Sequence, residues 1–182
     1  MNDLKAKLAR HLMALSYVQG EVTLTSGRKS DYYFDCKQTA LHPEGGYLIG
    51  KLFLEMLKGT DARGVAGMTL GADPLVTAVS LVSFLEGQPL PAFIVRKESK
   101  KHGTEAYIEG QGNIPAGARV ALVEDVVTTG GTLLKVIERV ERQGYRVGMV
   151  IAVVDRQEGG AEALAAAGCP LTAIFTRAEL LG

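Results

Sequence analysis

The chain has 182 residues, of which 47% are hydrophobic and 22% charged, the balance of a globular fold with a core to bury and not that of a disordered chain. Twenty basic residues offset twenty acidic ones, which excludes the broad positive field of a nucleic-acid binder, so any charge that matters is local. Cys36 and Cys169 have no C-x-x-C spacing and no histidine beside them; this points away from structural zinc or a disulfide framework and toward a reducing, cytoplasmic setting. The longest apolar run, 149–154, is far short of the ~20 residues of a bilayer-spanning helix, and no membrane partner is expected.

In chain order, Leu4, Leu8, Leu12 and Leu15 fall on one helical face with charges between them, the pattern of a surface helix and not of a signal segment. Residues 32–34 read as part of a short strand, and 43–57 as a helix with Tyr47, Leu48, Leu52 and Met56 inward. From Gly64 the pattern is strand 64–68, a helix opened by Asp73 as cap with Pro74 in its first turn, strand 92–96, strand 119–123, helix 132–143 and strand 147–154. The runs VALV and GMVIAVV are aliphatic throughout, as strands buried on both faces are, whereas LLKVIERVERQ has the helical period and stops at Gly144. This alternation predicts an α/β fold with a mostly parallel central sheet flanked by helices. The polar, glycine-containing stretch between 97 and 114 predicts a hairpin with an ordered base at 107–109 and a mobile tip. Thr176 and Glu179 form a capping box for a last turn. Cys36, His11 and His42 have no partners at metal spacing and read as structural or surface residues.

The segment RVALVEDVVTTGGTLLKVIERV joins a buried strand, two carboxylates, a Thr/Gly-rich turn and a helix. In an open α/β sheet the ligand crevice lies beyond the carboxyl ends of the strands, where Glu124 and Asp125 are expected. Adjacent carboxylates there can accept hydrogen bonds from the vicinal hydroxyls of a ribose. Backbone N–H groups of Thr128 to Thr132, with the Thr129 and Thr132 hydroxyls, can wrap a phosphate at the helix N-terminus. A Walker A loop is excluded because no lysine precedes the last threonine. A bland turn has no reason to place two acids directly after four buried apolar residues, so the segment reads as a cup for ribose 5-phosphate.

The 120–132 segment resembles the signature with which type I phosphoribosyltransferases bind phosphoribosyl pyrophosphate (PRPP). The resemblance implies that fold and PRPP-binding roles for Glu124, Asp125, Val126, Val127, Thr128, Thr129, Gly130, Gly131 and Thr132. It also implies magnesium (Mg2+) carried by PRPP, without a direct protein ligand. Residues 96–103 hold four cations against one anion. Such a run is often just solvated, but a pyrophosphate leaving group needs donors where its charge develops, and a closing loop would keep water from an oxocarbenium-like centre. The pattern R-K-E-x-K-x-H-G resembles the flexible catalytic loop of orotate phosphoribosyltransferases. That implies PRPP binding by Arg96, Lys97, Lys100 and His102, catalysis by Lys97, Lys100 and His102, and a homodimer with shared sites, because in that family the loop crosses into the neighbouring subunit. Lys101 falls at an open position and reads as solvated.

Arg156, in D-R-Q-E-G-G after an apolar strand, carries a planar fork that can pair bidentately with a carboxylate; the plainer alternative is a surface ion pair with Asp155 or Glu158. In the orotate family the matching arginine contacts orotate, and Thr128 does so too. The stretch with Ser26-Gly27-Arg28 and Tyr32-Tyr33-Phe34 resembles the family's N-terminal hood, with Tyr33 and Phe34 as contacts to the base or as strand core. A single domain over 1–182 is expected, about 1–60 as helix and hood and about 61–182 as α/β core. Thr25 stands where many members carry lysine. G-M-T-L-G-A-D-P lies at the family's pyrophosphate loop without the lysine of some members, and N–H groups from Thr69 to Ala72 could replace it.

The resemblance implies transfer of ribose 5-phosphate from PRPP to orotate, giving orotidine 5-monophosphate and pyrophosphate in pyrimidine synthesis. A purine phosphoribosyltransferase would need neither Arg156 as a carboxylate partner nor this loop. A PRPP-sensing regulator would need a basic DNA-binding module, which neither the zero net charge nor the short N-terminus provides.

Overall fold

A computed structural model describes residues 1–23, 29–98 and 107–182; Thr25, Ser26, Gly27 and Arg28 of the expected hood, and Lys100, Lys101 and His102 of the expected loop, lie outside them. Helix α1 (Asn2–His11) runs into a π-helical turn over Leu12–Ser16. The wider turn shifts the helical register, so Leu8 and Leu12 are buried while Leu15 faces solvent and Ser16 turns inward. Its hydroxyl lies 2.7 Å from that of Thr39, which satisfies two buried polar groups at once. The helix lies at the surface as expected, with Asn2, Asp3, Ala6 and Arg10 exposed and Leu8 and Leu12 inserted into the core.

Strands β1 (Tyr17–Thr23) and β2 (Lys29–Phe34) pair antiparallel, with an irregularity between Gln19 and Val22. After α2 (Cys36–Ala40), helix α3 (Pro43–Leu57) buries Leu48 and Leu52 as expected. Tyr47 is not inward but 49% exposed. The buried stripe includes Ile49 and Phe53, and Tyr47, two residues before Ile49, lies about 200° around the helix from it.

The rest alternates strand and helix. Strand β3 (Val65–Met68) precedes α4 (Asp73–Leu85), β4 (Ala92–Val95) and the two-residue β5 (Ile108–Glu109); then come β6 (Arg119–Val127), α5 (Gly131–Arg142), β7 (Arg146–Asp155), α6 (Gly160–Ala166), β8 (Leu171–Thr176) and α7 (Arg177–Leu181). The six-stranded sheet has the order β5-β4-β3-β6-β7-β8, all parallel except β5, which is antiparallel to β4. Ala121 and Val123 face the layer that holds α1, α3 and α4, while Val120 and Leu122 face the layer of α5 and α6. Burial on both sides is why these runs contain no polar residue. Strand order reverses at β3 and β6, which opens a crevice at their carboxyl ends.

Two expectations at helix starts resolve differently. Thr176 and Glu179 form the capping box, side chain to backbone in both directions. Asp73 does not cap α4: the N-cap is Ala72, already in the right-handed helical region, so Asp73 is the first helical residue and its side chain caps nothing. Its Oδ1 is buried without a partner, and burial raises its carboxyl pKa. The expected hairpin base is present, with β5 on β4 and Arg96 N donating to Tyr107 O at 2.7 Å. Among the described residues no helix is long and apolar enough to cross a membrane.

Candidate active site

Strand β6 does not stop before the acids. Its pairing with β7 continues through Glu124↔Ala152 to Val127↔Asp155, so the two carboxylates project from a paired strand and not from a loose connection. Asp125 N donates to Glu124 Oε1 at 3.1 Å, and Val126 N to Asp125 Oδ1 at 2.8 Å. Glu124 keeps some contact with solvent but is densely surrounded by protein. Burial first, and then the neighbouring Asp125 charge, push its carboxyl well above the usual carboxylate range, with Lys97 opposing. The connection after β3 comes close enough that a Cβ on Gly71 would lie 3.0 Å from Asp125 Oδ2.

Beyond β6 the chain turns at Gly130, φ +77°, into α5. That left-handed conformation favours glycine. The first N–H groups of α5 have no acceptor within the helix, and its dipole favours an anion there. Gly160 of α6 packs under this cup: a Cβ there would lie 2.5 Å from Val127 Cγ1 and 2.7 Å from Thr128 O. Gly160→Ala is therefore expected to destabilise by about 1–3 kcal/mol, as overpacked sites do, and to raise the KM for the phosphorylated substrate. Thermal melts and initial rates check both, and an unchanged KM would mean the cup tolerates displacement.

These elements enclose a cleft of ≈ 670 Å³. Of the residues singled out in the sequence, it brings together Lys97, Glu124, Asp125, the whole run from Val126 to Thr132, and Arg156, with Tyr33 and Phe34 on the β2 side. Thr69 to Gly71 also border it. Arg96 is not on its wall: Nη1 donates to Glu109 Oε1 at 3.1 Å, and its carbonyl accepts from Arg139 Nη1 at 2.9 Å.

Arg156 is 3% exposed, which excludes a surface ion pair although the pairing with Glu158 exists. Its backbone N donates to Val127 O at 2.9 Å, Nε donates to Glu158 Oε1 at 2.7 Å, and Nη2 donates to Ser30 Oγ at 3.0 Å. The guanidinium carbon lies 4.3 Å from the centre of the Tyr32 ring.

Two cations on the cleft wall were missed in the sequence, Lys37 and Lys135. Lys37 pairs with Asp35 at 2.6 Å, and this hydrogen bond holds its ammonium pKa up, with the Asp125 charge adding to it. Lys135 had a legible signal, since it follows Thr132 by three residues on the same helical face. Lys37 had none, because its approach to the cleft depends on the hairpin and α2 folding back. Among the described residues no group of three His, Cys, Asp or Glu side chains could hold a metal.

A Thr/Gly turn at a helix N-terminus beside a strand order reversal, with two acids before it, points to a class of sugar-phosphate transferases, and residues 65–167 match the phosphoribosyl transferase domain family. Over 99% of its length the chain is 49% identical to an orotate phosphoribosyltransferase of Nostoc sp., of which it covers 86%, and 50% identical to that of Thermosynechococcus vestitus, of which it covers 96%. It superimposes on the Mycobacterium tuberculosis H37Rv orotate phosphoribosyltransferase in complex with PRPP with a TM-score of 0.80 at 38% identity, covering 97% of this chain and 98% of that one. For the same enzyme in complex with Fe(III) dicitrate the TM-score is 0.85 at 41% identity, covering 98% and 99%. The chain belongs to the orotate phosphoribosyltransferases.

Proposed function

We propose that this chain transfers ribose 5-phosphate from PRPP to orotate, giving orotidine 5-monophosphate and pyrophosphate, a step of pyrimidine nucleotide synthesis. The observation that carries the proposal is the hanging of the phosphate cup and the buried Arg156 from two adjacent strands, joined by the Arg156 N to Val127 O bond. The 5-phosphate sits at 128–132. Glu124 and Asp125 take the ribose hydroxyls, and Glu124, protonated more readily than an ordinary carboxyl, can donate as well as accept there. Pyrophosphate faces Lys97 and the N–H groups of Leu70 and Gly71, because those of Thr69 and Ala72, also expected there, are taken by Val95 O and Met68 O. Arg96, which is off the wall of its own chain's cleft, Lys100 and His102 complete the cationic surroundings from the second subunit's loop. Orotate lies between Tyr33–Phe34 and Thr128, its carboxylate on Arg156. Charge develops on the leaving pyrophosphate oxygens as their bond to ribose C1 breaks and C1 bonds a ring nitrogen of orotate, and preorganised donors there lower the barrier.

Magnesium fits a site whose acidic donors are hard oxygens, and its chemistry when bound is to offset pyrophosphate charge. The oxygens of PRPP carry it in this reading, with no direct protein ligand. The reading includes one domain over 1–182, a cytoplasmic setting, and a homodimer in which each loop serves the other subunit's cleft. Leu81, Phe84 and Leu85, at i, i+3 and i+4 in the last turns of α4 and 58–69% exposed, support the dimer, since exposed apolar side chains grouped in this way are usually covered.

The test offers orotate, adenine, hypoxanthine or uracil to the purified chain with PRPP and magnesium. Orotate alone should react. Turnover of a purine with orotate inert would overturn the base assignment, and PRPP binding without turnover of any base would overturn the enzyme reading.

A further inference from the structure

A guanidinium as buried as that of Arg156 has to be held, and the way it is held decides which of its edges a ligand can reach. Arginine has two edges able to engage a carboxylate through parallel N–H bonds: the side edge, Nε with Nη2, and the end edge, Nη1 with Nη2. Glu158 takes Nε and Ser30 takes Nη2, at 2.7 and 3.0 Å. The Tyr32 ring covers one face of the plane at 4.3 Å, and Arg177 lies near the same ring at 5.5 Å. Among the described residues nothing accepts from Nη1, and Arg156 lines the main cleft.

We propose that Glu158 and Ser30 are positioning residues for the base: by occupying the side edge of Arg156 they turn its end edge toward the cleft, where it receives the carboxylate of orotate. The inference rests on the reading of Arg156 as the orotate-binding cation. It gives Glu158 a second role, as a counter-charge that lets a cation remain buried before substrate arrives. It also gives the hairpin a defined task. Ser30 lies 126 residues before Arg156 in the chain, so closing β2 onto the core and aiming the arginine are one event. A substrate without the carboxylate gains nothing from this aim, which makes the pair a determinant of specificity.

The experiment measures KM for orotate and for PRPP, with kcat, in Arg156→Ala, Glu158→Gln, Glu158→Ala, Ser30→Ala and the Arg156→Ala/Glu158→Ala double variant, each checked by thermal melting. Loss of a charge-assisted hydrogen bond is expected to raise the orotate KM of Glu158→Ala about tenfold. The PRPP KM should stay near that of the parent, and Glu158→Gln, which keeps one acceptor oxygen, should lie between. In the Arg156→Ala background Glu158→Ala should raise the orotate KM no further, because the two act through one group. Equal rises for both substrates, an orotate KM unchanged in Glu158→Ala, or full additivity in the double variant would each overturn the positioning role. If Arg156→Ala itself leaves the orotate KM unchanged, the assignment of Arg156 fails instead. Should Glu158→Ala not fold, Glu158→Gln and Ser30→Ala decide the matter by the same split between substrates.

Discussion

A Lys100→Ala chain is expected to fold and melt like its parent and to turn over about 10²- to 10³-fold more slowly, the loss found when one preorganised donor to a developing charge is removed. Folding should be spared because the loop's stem is secured independently of its side chains. Arg96 N bonds Tyr107 O, Arg139 of α5 donates to the Arg96 carbonyl, and the Arg139 guanidinium sits 4.5 Å from the Tyr107 ring centre. An unchanged kcat would return 96–103 to the status of a solvated charge run. Mixing Lys100→Ala with Arg156→Ala extends the test to assembly. If loops are exchanged, a heterodimer contains one site with Arg156 from one chain and Lys100 from the other, both intact, and activity should reappear on mixing. If each loop serves its own chain, both sites of the heterodimer stay damaged and none should.

Replacing Glu124 by glutamine is expected to lower kcat/KM for PRPP by about one to two orders of magnitude, as the loss of a hydrogen bond to a charged group would, and to stabilise the protein at neutral pH. The pKa of Glu124 is raised in the folded chain by burial and by Asp125. Between the ordinary carboxylate range and that raised value, the folded state keeps a proton that the unfolded state has released. Stability therefore falls as pH rises through this window and levels off above it. Glutamine removes the penalty. Melting temperatures should be close to those of the parent on the acid side and higher at neutral pH, by about 2–4 °C for each kcal/mol recovered in a chain of this size. Calorimetry across the pH range checks it, and parallel pH profiles for variant and parent would mean that Glu124 titrates as an ordinary carboxyl. Such a trade of stability against activity is common where a site concentrates like charge.

The parts of the fold that were legible are those in which side-chain chemistry and backbone structure agree. VALV and GMVIAVV are apolar because both faces of β6 and β7 are covered, and LLKVIERV has one apolar face because α5 covers the sheet with one. Where they disagree, the sequence misleads. The acids at 124 and 125 look like the end of a strand, yet backbone pairing ignores side-chain polarity and carries β6 on to Val127. Strand β1, with a glycine and no clean alternation, and α6, short and built of small residues, carried too little pattern to be seen; β8 was also missed. The π-helical turn that exposes Leu15 is invisible to a 3.6-residue period. The cup was readable because its residues are contiguous. The pairing of Arg156 with Glu158, two residues on, was readable too, but its burial was not, because Ser30 and Tyr32 meet it only once the hairpin closes on β7.

The continuation of the β6–β7 ladder to its last pair makes the two strand ends a gauge of fixed width. Neighbouring strands keep a spacing of about 4.8 Å, so the Thr/Gly turn after β6 and the guanidinium after β7 cannot drift apart or together without breaking backbone bonds. A one-residue insertion in either strand would turn every following side chain to the opposite face and destroy the calibration altogether. Changes to the hairpin, whose Ser30 reaches the guanidinium, are therefore made against a frame whose width stays the same.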